Sequence, residues 1–285
     1  MIFDARIRVT IPNETSSLRP HKLPNYMEQY NRVIDYIGKY RMTDADLIKQ
    51  MRDSGVSRAF LHAEREFPEE EPKQLNEHVA ELQHQHPDLF LGFATVDPFD
   101  IRDAMTELRR AYDMGLRGLS LQPSFLDIEP NDRRLYPLYA EAEMLGIPVA
   151  LHTGINYSRK HPIQYDDPKY LDLIACDFPN LILIACHAGW PWVPQLVAIA
   201  RKHPTIYLEL GAIAPKYLAT PGSGWETLLH FGQNLLETQI LFGTDWPMMT
   251  FDRAIDELSS LPIKESSKKA WLWENGNSLW EKLSK

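Results

Sequence analysis

The sequence predicts an α/β protein with the architecture of a (β/α)8 TIM barrel. Along the 285 residues, eight short apolar segments rich in β-branched residues alternate with longer amphipathic segments. Most of the short segments are continuously hydrophobic, which is typical of parallel strands covered on both faces. A barrel of this kind needs about 250 residues, so we expect one domain over residues 1–285. An open, doubly wound sheet also fits the alternation, but no glycine-rich phosphate loop follows any predicted strand.

The eight predicted strands share their short length and apolar character. In chain order they cover residues 2–9, 56–62, 89–96, 116–121, 147–152, 181–187, 205–210 and 240–244. The helices between them have recognisable ends, because Thr43 starts a capping-box sequence and Gly146 stands where a helix C-terminal cap is expected. Residues 263–283 predict two short C-terminal helices, in which Trp271, Trp273 and Trp280 are packing anchors.

The charge balance and the apolar runs restrict the partners and the location. The chain has 30 Lys and Arg residues against 39 Asp and Glu residues, a net charge of −9, whereas nucleic-acid-binding domains are usually basic. No run of about 18 apolar residues is present, so we expect no membrane span. The N-terminus lacks a signal-peptide pattern, and Cys176 and Cys186 are too few for a disulfide framework. We therefore expect a cytoplasmic protein that binds a small molecule.

Polar side chains stand at the ends of three predicted strands. His152 ends the fifth strand, His187 ends the sixth, and Asp245 follows the eighth. In a barrel, the carboxyl ends of all strands meet at one mouth, where active sites are built. Imidazole and carboxylate groups bind divalent metals or transfer protons near neutral pH. The sequence therefore predicts an active site at this mouth.

Three long connections follow predicted strand ends and are expected to cover a pocket. They span residues 10–41, 153–166 and 211–224. Binding residues are often carried by loops of this kind on a rigid scaffold. The candidates for defining the substrate are Tyr26 and Tyr30 in the first loop and Tyr157, Arg159 and His161 in the second.

Three sequence stretches resemble a known family. They are residues 135–154, which end in Leu-His-Thr-Gly, residues 178–189, which end in His-Ala-Gly, and residues 240–247, which read Ile-Leu-Phe-Gly-Thr-Asp-Trp-Pro. In these stretches the chain resembles the amidohydrolase superfamily, in its amidohydrolase-related (amidohydrolase 2) branch. The resemblance implies a metal-dependent-hydrolase-like (β/α)8 barrel. It also implies a hydrolase, lactonase, decarboxylase or hydratase that acts on a small, often carboxylated substrate.

The first predicted strand departs from that family. Members usually carry an Asp-x-His-x-His run whose histidines bind a divalent metal, whereas this chain reads Asp4-Ala5-Arg6-Ile7-Arg8. A guanidinium has only hydrogen-bond donors and cannot ligate a cation. Of the usual ligands, His152 and Asp245 remain, and catalytic zinc sites use three protein ligands. We expect no cofactor, and the alternative is a zinc-type ion on His152 and Asp245.

Arg6 and Arg8 point to the same side of their strand, and we expect that side to face the barrel interior. Two buried guanidiniums require anionic partners. One hypothesis is that they bind the carboxylate of an anionic substrate, or a developing oxyanion, in a bidentate manner. The other is that they form a buried ion-pair lattice with Asp245 and Asp4 in a barrel without chemistry.

The leading functional hypothesis is an enzyme that hydrolyses a lactone or similar ester without a tightly bound metal. Its roles are Asp245 as general base, His152 and His187 as carbonyl-polarising or proton-shuttling groups, and Arg6, Arg8, Trp190 and Trp246 as substrate-binding residues. The alternatives are a lyase of the same branch, either a decarboxylase or a hydratase, and an inactive binding or regulatory barrel. An Asp245 locked by both arginines, with no open cavity, would favour the inactive barrel. A homodimer is expected from the family.

Overall fold

The computed structural model describes residues 1–22, 25–27, 41–67 and 69–285. Its eight parallel strands are β1 Ile2–Arg8, β2 Val56–His62, β3 Phe90–Phe93, β4 Leu119–Leu121, β5 Val149–His152, β6 Leu183–Cys186, β7 Ile206–Glu209 and β8 Ile240–Leu241. Hydrogen-bonded ladders join β1 to β3 in sequence order and β4 to β8 in sequence order.

Two further contacts close these ladders into a barrel. Between β3 and β4, Ala94 pairs with Leu119. Between β1 and the segment after β8, Ile7 pairs with Trp246, and the Arg8 amide donates to the Trp246 carbonyl at 3.0 Å. The strands therefore form the predicted (β/α)8 barrel. Closure leaves no unpaired sheet edge, which is the physical advantage of a barrel.

The helices follow the strands in alternation. Within the described part of the chain they are α1 Asp44–Asp53, α2 Pro72–Gln85, α3 Ile101–Asp113, α4 Tyr136–Leu145, α5 Lys169–Asp177, α6 Val193–Lys202, α7 Glu226–Gly232, α8 Phe251–Ser259, α9 Glu265–Lys269 and α10 Asn275–Leu283. The predicted capping box is present, since Thr43 accepts from the Asp46 amide and Asp46 accepts from the Thr43 amide. Gly146 ends α4 at φ 68°, a left-handed conformation that glycine adopts without strain.

Several strands are shorter than the sequence predicts. The apolar run at residues 240–244 pairs with β7 only at Ile240 and Leu241. After this point the chain turns to β1, where the Ala5 amide donates to the Phe242 carbonyl at 2.8 Å. The last residues of the hydrophobic run therefore close the barrel instead of extending the ladder, a distinction that hydrophobicity alone does not encode.

The C-terminal segment closes the barrel opposite the mouth. It is one helical run, because a π-helical turn at Ala270–Glu274 joins α9 to α10, whereas the sequence predicts two separate helices. Trp280 stacks on Phe60 with ring centroids 6.4 Å apart, and Phe60 lies edge-on to Phe3 of β1. These rings form an apolar core inside the strands, which confirms Trp280 as a packing anchor. No helix in the described residues has the length and hydropathy needed to cross a membrane.

Candidate active site

The structure places the predicted polar residues around one end of the barrel. His152 is the last residue of β5, His187 follows β6, Asp245 lies four residues after β8, and Arg6 and Arg8 lie on β1. His187 and Asp245 have φ values of 64° and 55°. Such left-handed conformations are uncommon for residues other than glycine and cluster at functional sites. The chain thus maintains a strained backbone at both positions.

Asp245 is clamped between the two arginines. Its Oδ1 accepts from Arg6 Nε at 3.0 Å and from Arg8 Nε at 2.8 Å, and its Oδ2 accepts from Arg8 Nη2 at 2.7 Å. The residue is 0% exposed. Burial opposes its ionisation, but the charges of Arg8 and Arg6 outweigh burial and hold the pKa of Asp245 well below its ordinary value. A carboxylate with so low a pKa and so many donors is a poor general base, so this placement does not fit the predicted role.

The remaining donors of the two guanidiniums are also committed to the protein. Arg6 donates from Nη1 to Cys186 Sγ at 3.0 Å and pairs through Nη2 with Glu64. Arg8 pairs through Nη1 with Glu66. The prediction that Arg6 and Arg8 hold a substrate carboxylate therefore does not fit the geometry, because protein carboxylates already pair with their guanidinium groups.

The ion-pair network extends to a third arginine. Arg19 Nη1 donates to Glu66 Oε2 at 2.8 Å, and both side chains are buried. Asp4, the other expected partner, instead accepts from the Thr244 hydroxyl at 2.6 Å and from the Arg6 backbone amide at 2.9 Å. Burial raises the pKa of Asp4 to about 7. The buried charges therefore balance within the protein, without an added anion.

Glu209 is another buried carboxyl group near these residues. It is the last residue of β7 and accepts from the backbone amides of Gly211 and His187. Burial raises the pKa of Glu209 to about 8, against the opposing effect of the Arg6 charge. A Cβ atom at Gly243 would collide with this carboxyl group. Glu209 is therefore held protonated near neutral pH, in a space that glycine leaves open.

The two histidines are fixed in the same tautomer. His152 Nδ1 lies 2.6 Å from Asp166 Oδ1, and His187 Nδ1 lies 2.8 Å from the Gly211 carbonyl oxygen. Both partners are acceptors, so each Nδ1 carries a proton. The ring centroids are 4.7 Å apart, and neither Nε2 has a hydrogen-bond partner among the described residues. Burial lowers the pKa of His187 well below its ordinary value, so this ring is neutral.

Asp166 is a site residue that the sequence reasoning missed. It is 1% exposed, and its second carboxylate oxygen accepts from Asn156 Nδ2 at 2.6 Å. The residue lies in the loop after β5, in a short helical turn at Ile163–Asp166. In the sequence, its position in a long loop after the strand that ends at His152 could have indicated a role in the site. A carboxylate that orients a histidine and raises its basicity is a recurring feature of catalytic sites.

A cavity of about 200 Å³ lies at the mouth of the barrel. Neither His152 nor His187 lines it, but its lining residue Phe125 has a ring centroid 5.8 Å from that of His152. The lining includes four aromatic, three basic and three acidic side chains, namely Tyr26, Phe67, Phe99 and Phe125, then Arg65, Lys160 and His161, and then Glu66, Asp97 and Asp127. Of the predicted substrate-defining residues, it therefore contains Tyr26 and His161. Tyr157 and Arg159 are not in its lining, and Tyr30 lies outside the described residues.

The two tryptophans predicted to bind substrate occupy different places. Trp190 is 37% exposed and donates from Nε1 to the Ser223 carbonyl at 3.1 Å, so it joins two loops. Trp246 is buried, stacks on Phe251 and donates from Nε1 to Gln50 of α1 at 3.0 Å. Trp246 thus packs between the barrel and α1, and substrate binding does not fit this position.

The side chains of Arg6, Arg8 and Asp245 do not fit a metal ion. Arg6 and Arg8 offer only donors, and the Asp245 carboxylate accepts from both. In the described part of the chain, the one group of three ligand atoms within 4.8 Å of one another is Asp172, Cys176 and His203. That group lies on α5 and just after α6, and it excludes His152 and Asp245.

Comparisons with known proteins place this architecture in a family. The family model described as amidohydrolase matches residues 32–281. A curated relative, the 2-amino-3-carboxymuconate-6-semialdehyde decarboxylase of Dictyostelium discoideum, is 24% identical over 200 residues. This match covers 61% of the present chain and 55% of the relative, so it spans about half the length of that protein.

Solved structures agree with the fold over nearly the whole chain. An uncharacterized TIM-barrel protein from Bordetella bronchiseptica is 24% identical with a TM-score of 0.78, covering 100% of this chain and 99% of that one. The 5-carboxyvanillate decarboxylase of Sphingomonas paucimobilis is 15% identical with a TM-score of 0.74, covering 98% of each chain. A probable 2-pyrone-4,6-dicarboxylic acid hydrolase from Acinetobacter baumannii is 16% identical with a TM-score of 0.65, covering 98% and 99%. Since the family model covers most of the chain, this protein belongs to the amidohydrolase family.

Proposed function

We propose that the protein hydrolyses a lactone or similar ester of a small carboxylated substrate, without a metal. The observation that carries the proposal is the pair of histidines whose Nδ1 atoms contact protein acceptors and whose Nε2 atoms have no partner among the described residues. Asp166 supports His152 as the general base, in place of Asp245. The guanidiniums of Arg6 and Arg8 occupy the place where relatives of this branch hold a metal, and they fix Asp245.

The reaction transfers one proton from water to His152 and then from His152 to the leaving ester oxygen. A water molecule that donates its hydrogens to His152 Nε2 and His187 Nε2 directs an oxygen lone pair at the substrate carbonyl. His152 takes the proton as the new carbon–oxygen bond forms, and then returns it to the ester oxygen that leaves. A neutral imidazole with its Nδ1 proton held by a carboxylate suits this task near neutral pH.

Decarboxylation is the second candidate, and the comparisons favour it. The curated relative and the Sphingomonas structure are both named decarboxylases, while the Acinetobacter structure is named a hydrolase. Decarboxylation of an unsaturated acid requires a proton donor to carbon. His187 is neutral and carries its proton on Nδ1, so its Nε2 suits a base better than an acid. The geometry therefore supports hydrolysis. The inactive barrel meets its first criterion, because Arg6 and Arg8 lock Asp245. Its second criterion is not met, since a cavity is present at the mouth, although His152 and His187 are not in its lining.

Product analysis on chelator-treated protein tests the proposal. We expect proton release from a lactone such as 2-pyrone-4,6-dicarboxylate, with no carbon dioxide. The change of His152 to Gln should abolish this activity. His78→Gln is a matched control, because His78 is equally buried and contacts Asp44 at 3.1 Å, but on α2. Carbon dioxide release, full dependence on added metal, or full activity of His152→Gln would each refute the proposal.

A further inference from the structure

The cavity at the mouth contains a buried polar atom without a partner. His161 Nε2 is buried and has no hydrogen-bond partner among the described residues, although the residue lines the cavity. Its other ring nitrogen, Nδ1, lies 2.7 Å from Ser158 Oγ. Leaving a buried donor or acceptor unpaired is costly. Such an atom in a cavity wall indicates a ligand group that pairs with it.

The loop around Ser158 determines which hydrogen-bond role His161 Nε2 plays. Ser158 Oγ accepts from the Lys160 backbone amide at 3.3 Å, so its own hydroxyl proton is free to donate to His161 Nδ1. Burial lowers the pKa of His161, which favours the neutral ring. A neutral imidazole that accepts at Nδ1 carries its proton on Nε2. His161 therefore offers an N–H donor to the cavity.

Lys160 adds a positive charge beside this donor. Its Nζ lies 5.6 Å from the centroid of the Tyr26 ring, and it forms no ion pair with a described side chain. The other basic side chain of the lining, Arg65, is paired with Asp97 at 2.7 Å. Of the other acidic lining residues, Glu66 is paired with Arg8 and Arg19, and Asp127 is exposed to solvent, so water screens its repulsion. The donor and the cation together select an anionic oxygen ligand.

Aromatic rings connect this position with the candidate base. The Phe125 ring lies 5.1 Å from the His161 ring and 5.8 Å from the His152 ring, measured between centroids. Tyr26, Phe67 and Phe99 complete the aromatic lining. Flat, unsaturated ligands pack well against such walls. The Phe125 ring, which lines the cavity, therefore lies beside both His161 and His152, although His152 itself is not in the lining.

We infer that His161 Nε2–H and Lys160 form a carboxylate subsite for a flat aromatic or unsaturated acid. The inference rests on the proposed function, because it names the substrate class of the same site. The subsite binds a carboxylate remote from the reacting carbon, while His152 and His187 act on the ester group. The recognition group therefore remains intact through the reaction.

Isothermal titration calorimetry with isophthalate, and with its neutral diamide, tests the subsite. We expect isophthalate to bind at least about tenfold more tightly than the diamide, because charge-assisted hydrogen bonds are stronger than neutral ones. His161→Phe should weaken isophthalate binding about tenfold, and Lys160→Met about threefold. Asp127→Asn should tighten binding, since it removes a repulsive charge.

A matched control separates local from general effects. Lys216 lies over the Tyr217 ring at 5.3 Å, and neither residue lines the cavity, so Lys216→Met should bind isophthalate like the wild type. His161→Phe removes a buried unpaired nitrogen, so we expect its melting temperature to stay close to that of the wild type. Equal binding of isophthalate and its diamide, no measurable isophthalate binding, or unchanged binding by His161→Phe would overturn the inference. Binding without lactone hydrolysis would refute the proposed function alone, whereas hydrolysis with an unchanged KM in His161→Phe would refute the subsite alone.

Discussion

The clamp on Asp245 predicts a large loss of stability when its charge is removed. In Asp245→Asn, a neutral amide replaces a fully buried carboxylate that accepts three hydrogen bonds from Arg6 and Arg8, at 2.7 to 3.0 Å. One of the two acceptor oxygens becomes a donor group facing a guanidinium. Removing one partner from a buried ion pair costs about 3–5 kcal/mol, because the remaining charge stays buried without compensation. We expect the free energy of unfolding to fall by about this amount.

Urea unfolding followed by tryptophan fluorescence measures this loss, and the chain provides a control pair. Asp132 binds Arg134 with the same bidentate geometry, at 2.8 and 2.7 Å, but on the surface. Asp132→Asn should cost only about 0–1 kcal/mol, since exposed pairs contribute little. If Asp245→Asn destabilised the protein no more than Asp132→Asn, the buried ion pairs of Asp245 would not be a main source of the barrel's stability.

The direction of the pKa shift of Asp245 sets the pH range in which its ion pairs with Arg6 and Arg8 stabilise the folded protein. The pKa of Asp245 is lowered in the folded protein by the Arg8 and Arg6 charges, which exceed the opposing effect of burial. Its stabilisation is therefore fully present above the pKa of an unfolded Asp, about 3.9, and disappears as the pH falls through the lower folded value. The stability difference between the wild type and Asp245→Asn should stay constant from about pH 7 to pH 5 and shrink below about pH 4.

Three further predictions concern the base, a buried acid and a core tryptophan. Asp166→Asn should lower kcat about 100-fold or more, since general-base catalysis contributes about 10²–10⁴-fold; an unchanged pH–rate profile would argue against the dyad. The pKa of Glu209 is raised to about 8 by burial, so its contribution to stability is lost as the pH rises from about 4 to about 8. Glu209→Gln should flatten that decline in urea unfolding, and an identical slope would contradict it. Trp246→Phe should cost about 1–3 kcal/mol of stability through the lost contact to Gln50, while kcat/KM stays close to the wild-type value; a selective loss of kcat/KM would restore Trp246 to the site.

The order of elements could be predicted because each one is encoded locally. The capping residues at Thr43 and the glycine at Gly146 fix helix ends through short-range hydrogen bonds and backbone conformation. Strand lengths were less predictable. At residues 240–244, the hydrophobic pattern continues after the chain has left β7 for β1, and burial is the same in both places.

The site was predictable in its location but not in its connections. Strand ends identified His152, His187 and Asp245, because all strand carboxyl ends of a barrel meet at one mouth. The residue types alone also established that Arg6 and Arg8 cannot ligate a metal, because a guanidinium has only hydrogen-bond donors. They could not show that Glu66 would pair with Arg8, since this carboxylate comes from a segment more than 50 residues away.

The sequence by itself therefore determined the barrel and the presence of Arg6 and Arg8 on its first strand. Only the tertiary structure decided what each polar group faces: Asp245 faces two guanidiniums, whereas His152 faces Asp166. The physical reason is that the protonation and the role of a buried group depend on burial and on neighbours distant in sequence. For the same reason Trp246, which is adjacent to Asp245 in sequence, belongs to the core and not to the site.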